Sequence, residues 1–174
     1  MNNSSDIPEF GIKRENEEKR DGGCGIIFDP STQKYATGKQ ENGRLILFGG
    51  GLDIGENFKD GVLREVVEES GLHNFSYVEE IAEAVCHFHN SAKNINRVAY
   101  AKCFLVILKN RDLVPTKLEE HEKFSLAWIT PEEILLNWES RNGNKDHDHW
   151  IYFFKKSVNR AIELGYDTTN ARFV

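Results

Sequence analysis

The chain reads as an α+β protein, a sandwich on a mixed central sheet, and three observations predict this. Short apolar runs bounded by glycine, proline and asparagine mark strands. Three segments carry the 3.6-residue periodicity of amphipathic helices. The two kinds of segment are interspersed irregularly, without the regular alternation of repeating strand-helix-strand units. With 174 residues and 39% hydrophobic content, the chain suits one domain of ordinary size that buries its own core. Residues 1–21 are polar and charge-mixed and are expected to form a flexible N-terminal arm, leaving residues 22–174 as a single domain.

Taken in order, the first expected strands are Cys24 to Phe28, ended by Asp29-Pro30, then Gln33 to Lys39, then Arg44 to Phe48 running into three glycines. A helix is expected from about Asn57 to Ser70. There Phe58, Val62, Leu63, Val66 and Val67 recur at helical spacing, Asn57 offers a cap, and Gly71 lies where a left-handed C-terminal cap belongs. Ser76 to Asn90 and Arg97 to Lys109 are rich in β-branched and aromatic residues and read as paired core strands joined by a polar loop, 91–96. After an acidic loop at 117–123, Phe124 to Ile129 alternates as a strand with one buried face. Thr130-Pro131-Glu132-Glu133 combines a threonine cap, an early proline and a capping-box glutamate, which starts a short helix to about Trp138. The last helix, about Asp148 to Leu164, repeats Ile151, Phe154, Val158, Ala161 and Ile162 and stops at Gly165.

Charge and cysteine usage narrow the function classes. The formal net charge is −6 with no long lysine or arginine block, so binding of duplex nucleic acid through charge alone is not expected. Cys24, Cys86 and Cys103 are odd in number and widely spaced, which suits a reducing compartment better than a disulfide framework. No apolar run approaches the roughly 20 residues of a membrane span, and no signal-peptide core is visible, so a cytoplasmic protein without a membrane partner is expected.

The strongest chemical signal is the segment Gly50 to Leu72, GGLDIGENFKDGVLREVVEESGL. It places Gly50, Glu56, Arg64, Glu65, Glu68, Glu69 and Gly71 at fixed spacing; at ordinary residue usage, seven such positions coincide on the order of 10⁻⁹ per starting point. On a helix, Glu65, Glu68 and Glu69 fall within about 100° of one another, beside an apolar arc of Val62, Leu63, Val66 and Val67. Carboxylates this close repel and raise one another's pKa unless a positive charge sits among them. An all-oxygen face suits Mg²⁺ or Mn²⁺ shared with phosphates, and it does not suit a structural zinc. The glycines at 49–51 let backbone approach a ligand closely. A charge-rich helix face is more often simply solvated, but solvation gives no reason for Gly50, Glu56 and Arg64 as well.

These residues resemble the Nudix box, G-x5-E-x7-R-E-U-x-E-E-x-G-U with U a bulky aliphatic, and every defined position is met. The order of elements over about residues 22–164 is similar to the Nudix fold, an α/β/α sandwich with a mixed central sheet. The resemblance implies a hydrolase, dependent on Mg²⁺ or Mn²⁺, that cleaves a phosphoanhydride bond of a nucleoside diphosphate linked to another moiety, such as a nucleotide sugar or nucleoside polyphosphate. It implies Glu65, Glu68 and Glu69 as metal ligands with the Gly49 carbonyl as an additional one, and Arg64 with Glu56 as the ion pair that orients the helix. The catalytic base is expected on the acidic loop, where Glu119, Glu120 and Glu122 compete and Glu120 and Glu122 are favoured. The alternative on the same fold is a noncatalytic nucleotide-binding regulatory module, and degenerate boxes usually mark such modules.

The substrate is expected to be a small nucleotide, and the protein a monomer or a homodimer. Many family members carry proline where this chain has Phe48, whose ring is a candidate for the substrate cleft beside a core reading. Lys93 and Arg97 bracket the polar loop and are candidate phosphate contacts. Cys86, His87, His89 and Cys103 fit no common zinc spacing, so packing or substrate contact is expected of them. Asp146-His147-Asp148-His149 precedes a helix, where an aspartate cap is expected ahead of metal ligation.

Overall fold

A computed structural model of the chain describes residues 6–169 and 173. In chain order the elements are β1 (Glu9–Gly11), β2 (Glu18–Lys19), β3 (Gly22–Asp29), β4 (Lys34–Lys39), β5 (Leu45–Ile46), β6 (Phe48–Gly51), α1 (Phe58–Ser70), β7 (Phe75–Asn90), β8 (Ile95–Leu108), β9 (Ser125–Ile129), α2 (Pro131–Glu139) and α3 (Asp148–Glu163). The strands form one mixed sheet in the order β1-β7-β8-β3-β4-β5, with β2 on β8, β6 on β3 and β9 on β4. β3 lies parallel to β8 and antiparallel to both β4 and β6; β7 and β8 form a long antiparallel pair from Phe75↔Leu108 to Asn90↔Ile95.

Period-two alternation sorts the side chains of the central strands onto two cores. On β8, Cys103, Leu105 and Ile107 join a cluster with Ile134 and Trp138 of α2 and Phe154 and Val158 of α3, whereas Phe104, Val106 and Leu108 join Val62 and Val66 of α1. One helix therefore covers one face and two helices cover the other, which is the α/β/α sandwich expected from the sequence. Gly25 of β3 sets how closely α1 docks: a Cβ there would lie 2.6 Å from Cγ2 of Val66. On the opposite face α2 grips β5, with Trp138 Nε1 donating to the Leu45 carbonyl at 2.8 Å and the Leu45 N–H donating to Asn137 Oδ1 at 3.0 Å.

The arm expected over 1–21 is corrected in part. Residues 1–5 lie outside the described residues, but β1 pairs in parallel with β7 and β2 with β8, so the following segment extends the sheet. The physical reason is a buried polar anchor. His87, 3% exposed, lies between two carboxylates, Glu9 Oε1 at 2.6 Å from Nε2 and Glu17 Oε2 at 2.9 Å from Nδ1. The strand expected at Arg44 to Phe48 is broken at Leu47 into β5 and β6, which pair with different neighbours, β4 and β3.

Candidate active site

Helix α1 forms where its caps and apolar stripe agree. Asn57 Oδ1 accepts the Asp60 N–H at 2.9 Å, and Gly71, at φ 77°, ends the helix in the left-handed conformation with its N–H on the Val67 carbonyl. Val62 and Val66 are fully buried against the sheet. That anchoring turns the adjoining arc, with Glu65 and Glu69, toward the glycine strand β6. Glu69 Oε2 accepts the Gly49 N–H at 2.8 Å. A Cβ on Gly50 would stand 2.8 Å from the Glu65 carboxyl carbon, so only glycine leaves this carboxylate its place.

Arg64 gathers the other carboxylates. It meets Glu56 with two hydrogen bonds, Nε to Oε1 at 2.8 Å and Nη2 to Oε2 at 3.0 Å, and its Nη1 donates to Glu65 at 2.8 Å and Glu68 at 3.2 Å. Asp53 adds a longer contact of 3.6 Å. The Arg64 hydrogen bonds hold the Glu56 carboxyl down at about 2, and Glu56 in turn raises the guanidinium further above its ordinary value.

Glu69 lies beyond that neutralising reach. It is 9% exposed, and burial first, then the charges of Glu122, Glu65 and Glu119, push its carboxyl up to about 9 against the opposing Gly49 N–H. Glu65 is also raised, chiefly by burial, although Arg64 opposes the shift. On the acidic loop the ligand atoms of Glu119, His121 and Glu122 lie within 4.8 Å of one another, and Glu122 Oε2 accepts the Glu119 N–H at 2.8 Å. The helix glutamates and this loop thus concentrate negative charge around one buried carboxylate.

A cavity of about 650 Å³ opens beside β6. Its walls include Gly49, Gly50 and Gly51, then Leu47 and Arg44 along the same stretch of chain, with Phe88, Lys93, Arg97, Arg141, His147 and Trp150 opposite and around.

Of the residues singled out in the sequence, Glu56, Arg64, Glu65, Glu68, Glu69 and Gly49 come together as described, and Glu119 and Glu122 face them. Glu120 is exposed, and it is the neighbours Glu119 and Glu122 that act on Glu69. Lys93 and Arg97 reach the cavity wall, Arg97 already paired with Glu18 at 3.0 Å. Phe48 is corrected: it is fully buried, 5.9 Å from the Phe124 ring in the core under α1, because β6 turns that side chain away from the cavity. The aspartate cap expected before the last helix is also corrected. The N-cap is His147, whose side chain makes no capping hydrogen bond, while Asp146 pairs with Arg14 at 3.2 Å. The three cysteines are free and buried. Sequence reasoning missed Arg20, Arg44 and Arg141, which lie far apart along the chain and are brought to one cavity only by folding.

A family model described as NUDIX domain matches residues 23–158. No curated protein sequence matches the chain. Among solved structures, the chain resembles the NUDIX domain of Shewanella oneidensis NrtR, solved as a complex with ADP ribose. The two share 15% identity over 82% of this chain and 90% of that one, with a TM-score of 0.57. It also resembles a MutT protein from Bacillus halodurans, at 18% identity over 78% and 80% with a TM-score of 0.54. A NUDIX hydrolase from Nitrosomonas europaea is similar at 20% identity over 80% and 91%, with a TM-score of 0.51. At these identities the likeness establishes the fold. Among the described residues no helix is long and apolar enough to cross a membrane.

Proposed function

This chain belongs to the NUDIX domain family and is a Nudix pyrophosphohydrolase, and from that premise we propose that it cleaves a nucleoside diphosphate derivative with the help of Mg²⁺ or Mn²⁺ held by Glu65, Glu68 and Glu69. The observation that carries the metal reading is Glu69: a buried carboxylate, beyond the contacts of Arg64, with further carboxylates pressing on it. The donors are all oxygens, and with the Gly49 carbonyl as a further candidate they fit a hard divalent cation. Such a cation, when bound, neutralises nonbridging phosphate oxygens and lowers the pKa of water.

The chain's own residues do the rest. Arg64, fixed by its two bonds to Glu56, holds Glu65 and Glu68 in place. Glu122 is our choice for the group that takes a proton from the attacking water, because it is the acidic-loop carboxylate that acts most strongly on both Glu69 and Glu65. The glycine strand leaves room for the diphosphate, and the cationic cavity beside it takes the remainder of a small nucleotide, such as a nucleotide sugar or nucleoside polyphosphate. The test is a panel of such nucleotides with Mg²⁺ or Mn²⁺, read by phosphorus NMR as the phosphomonoester or pyrophosphate products of phosphoanhydride cleavage. Turnover that stops on chelation and in Glu68→Gln supports the reading, and turnover that survives both overturns it.

A further inference from the structure

The cavity beside β6 is cationic in a protein of net charge −6. Arg20, Arg44, Lys93, Arg97 and Arg141 line it against a single carboxylate, Asp146, which is engaged by Arg14 at 3.2 Å and by Asn144 at 2.6 Å. The cations fall at two ends. Arg20 lies against Gly51, where an added Cβ would meet its guanidinium, and so marks the end beside the glycine strand. Arg44 starts the same wall, five residues before Gly49.

At that far end two guanidinium groups line the space without an ion-pair partner among the described residues. Among the described residues neither Arg44 nor Arg141 has a carboxylate within ion-pair distance; Arg141 Nη2 donates only to the Asn42 carbonyl, at 2.9 Å. Arg44 is built in with care. Its Nε donates to Nε2 of His147 at 3.1 Å, its guanidinium lies 5.2 Å from the centre of the Trp150 ring, and the next residue is clamped by Asn137 and Trp138. These contacts use one edge and one face of the guanidinium and leave its two Nη groups free of partners among the described residues. Burial lowers the Arg44 pKa, Asp146 opposes that, and Arg141 adds to it. Arg44 is half-buried and fixed while Arg141 is exposed on the wall of the same cavity, and the planar fork of each arginine matches the oxygens of a phosphate.

We propose that Arg44 and Arg141 form a second anion subsite, so that the substrate is a nucleoside diphosphate derivative carrying an additional phosphate remote from the bond that is cleaved. This rests on the hydrolase reading for its substrate class, while the subsite itself rests on the arginines. A substrate spanning both ends places its diphosphate by Gly49 to Gly51 and its extra phosphate between Arg44 and Arg141. His147 is a positioning residue in this arrangement: accepting the Arg44 Nε–H on Nε2, it carries its own proton on Nδ1 and stays neutral beside the cations.

The test compares matched substrates that differ by one phosphate, coenzyme A with dephospho-coenzyme A and NADPH with NADH, in the full-length protein with Mg²⁺. In at least one pair the phosphorylated member should be favoured about tenfold or more in kcat/KM, mainly through KM. Arg44→Gln and Arg141→Gln should each bring that ratio close to one, and Arg44→Lys should retain part of it. Because the readout is a ratio within each variant, partial loss of folded protein cancels. Calorimetric binding of the same four compounds, with Ca²⁺ replacing Mg²⁺, reads the subsite without turnover. A phosphate preference in binding that disappears in both glutamine variants sustains the subsite even if no compound is hydrolysed, in which case the hydrolase reading alone fails. Equal binding and equal kcat/KM within both pairs, or a preference that survives both variants, overturns the proposal.

Discussion

Replacing Glu69 with glutamine should stabilise the metal-free protein at neutral pH while removing turnover. Burial and the neighbouring carboxylates lift the Glu69 carboxyl from 4.5 to about 9, so folding favours the protonated form. Between those two values the folded state holds a proton that the unfolded chain releases, and stability therefore falls as pH rises from about 4.5 through about 9. At pH 7 the cost works out at about 3 kcal/mol, taking ~1.36 kcal/mol for each pH step above the unfolded value. Glutamine carries no charge and still offers an oxygen to the Gly49 N–H that Glu69 now accepts at 2.8 Å. The variant should consequently melt roughly 6 to 12 °C higher than the parent at pH 7 in chelator. The assay is thermal unfolding of both proteins in chelator from pH 4 to 9. The two curves should meet near pH 4 and diverge as pH rises, and adding Mn²⁺ should recover much more stability in the parent than in the variant. Parallel curves, or a variant less stable than the parent at pH 7, would refute the view of Glu69 as a buried, uncompensated carboxylate.

Gly50→Ala should leave melting within about 1 kcal/mol of the parent, since the new methyl meets only the end of the Glu65 side chain, yet displace that carboxylate enough to lower kcat by about 100-fold. Gly25→Ala instead drives a methyl into Val66 at 2.6 Å, and α1 must lift from the sheet. It should cost about 1 to 3 kcal/mol in denaturant unfolding and lower activity as well, because the same helix carries the glutamates. His147 is 5% exposed, and burial and Arg44 pull it down to about 4. Its folded pKa is depressed, so its contribution of up to about 3 kcal/mol is present above pH 6.5 and is lost as pH falls toward 4. His147→Gln should flatten that acid limb in a pH series of melting curves.

Local chemistry made most of the fold legible. α1 starts and stops where Asn57 and Gly71 say it must, and α2 starts with the capping box of Thr130 and Glu133, because caps act within four residues of chain. β8 was readable as a core strand from the apolar run Cys103 to Leu108. β1 and β2 were not, since their residues are polar and what holds them is remote: backbone pairing with β7 and β8, and two carboxylates on a buried histidine some seventy positions away. The same division runs through the site. Fixed spacing on one helix exposed Glu65, Glu68 and Glu69 together with Arg64, whereas the choice between Glu120 and Glu122 turns on how a loop folds back over that helix. Phe48 was open to a cleft reading until the break at Leu47 set which way β6 directs it. Arg44 and Arg141 carry no sequence signal, and only α2 and α3 packing beside β5 brings them to one cavity.

The central claim is that glutamates on one helix support metal-dependent cleavage of a phosphoanhydride, and the most direct measurement is phosphorus NMR of nucleotide turnover by the parent and by Glu68→Gln, with Mg²⁺ and with chelator. The Glu68 side chain lies 30% exposed and accepts a hydrogen bond from Arg64, so the variant should keep its fold, checked by melting, and lose at least about 100-fold in kcat. Diphosphate cleavage products from the parent with Mg²⁺ alone are the predicted result. A Glu68→Gln protein that turns over as fast as the parent, or a parent that cleaves equally well in chelator, would contradict the account.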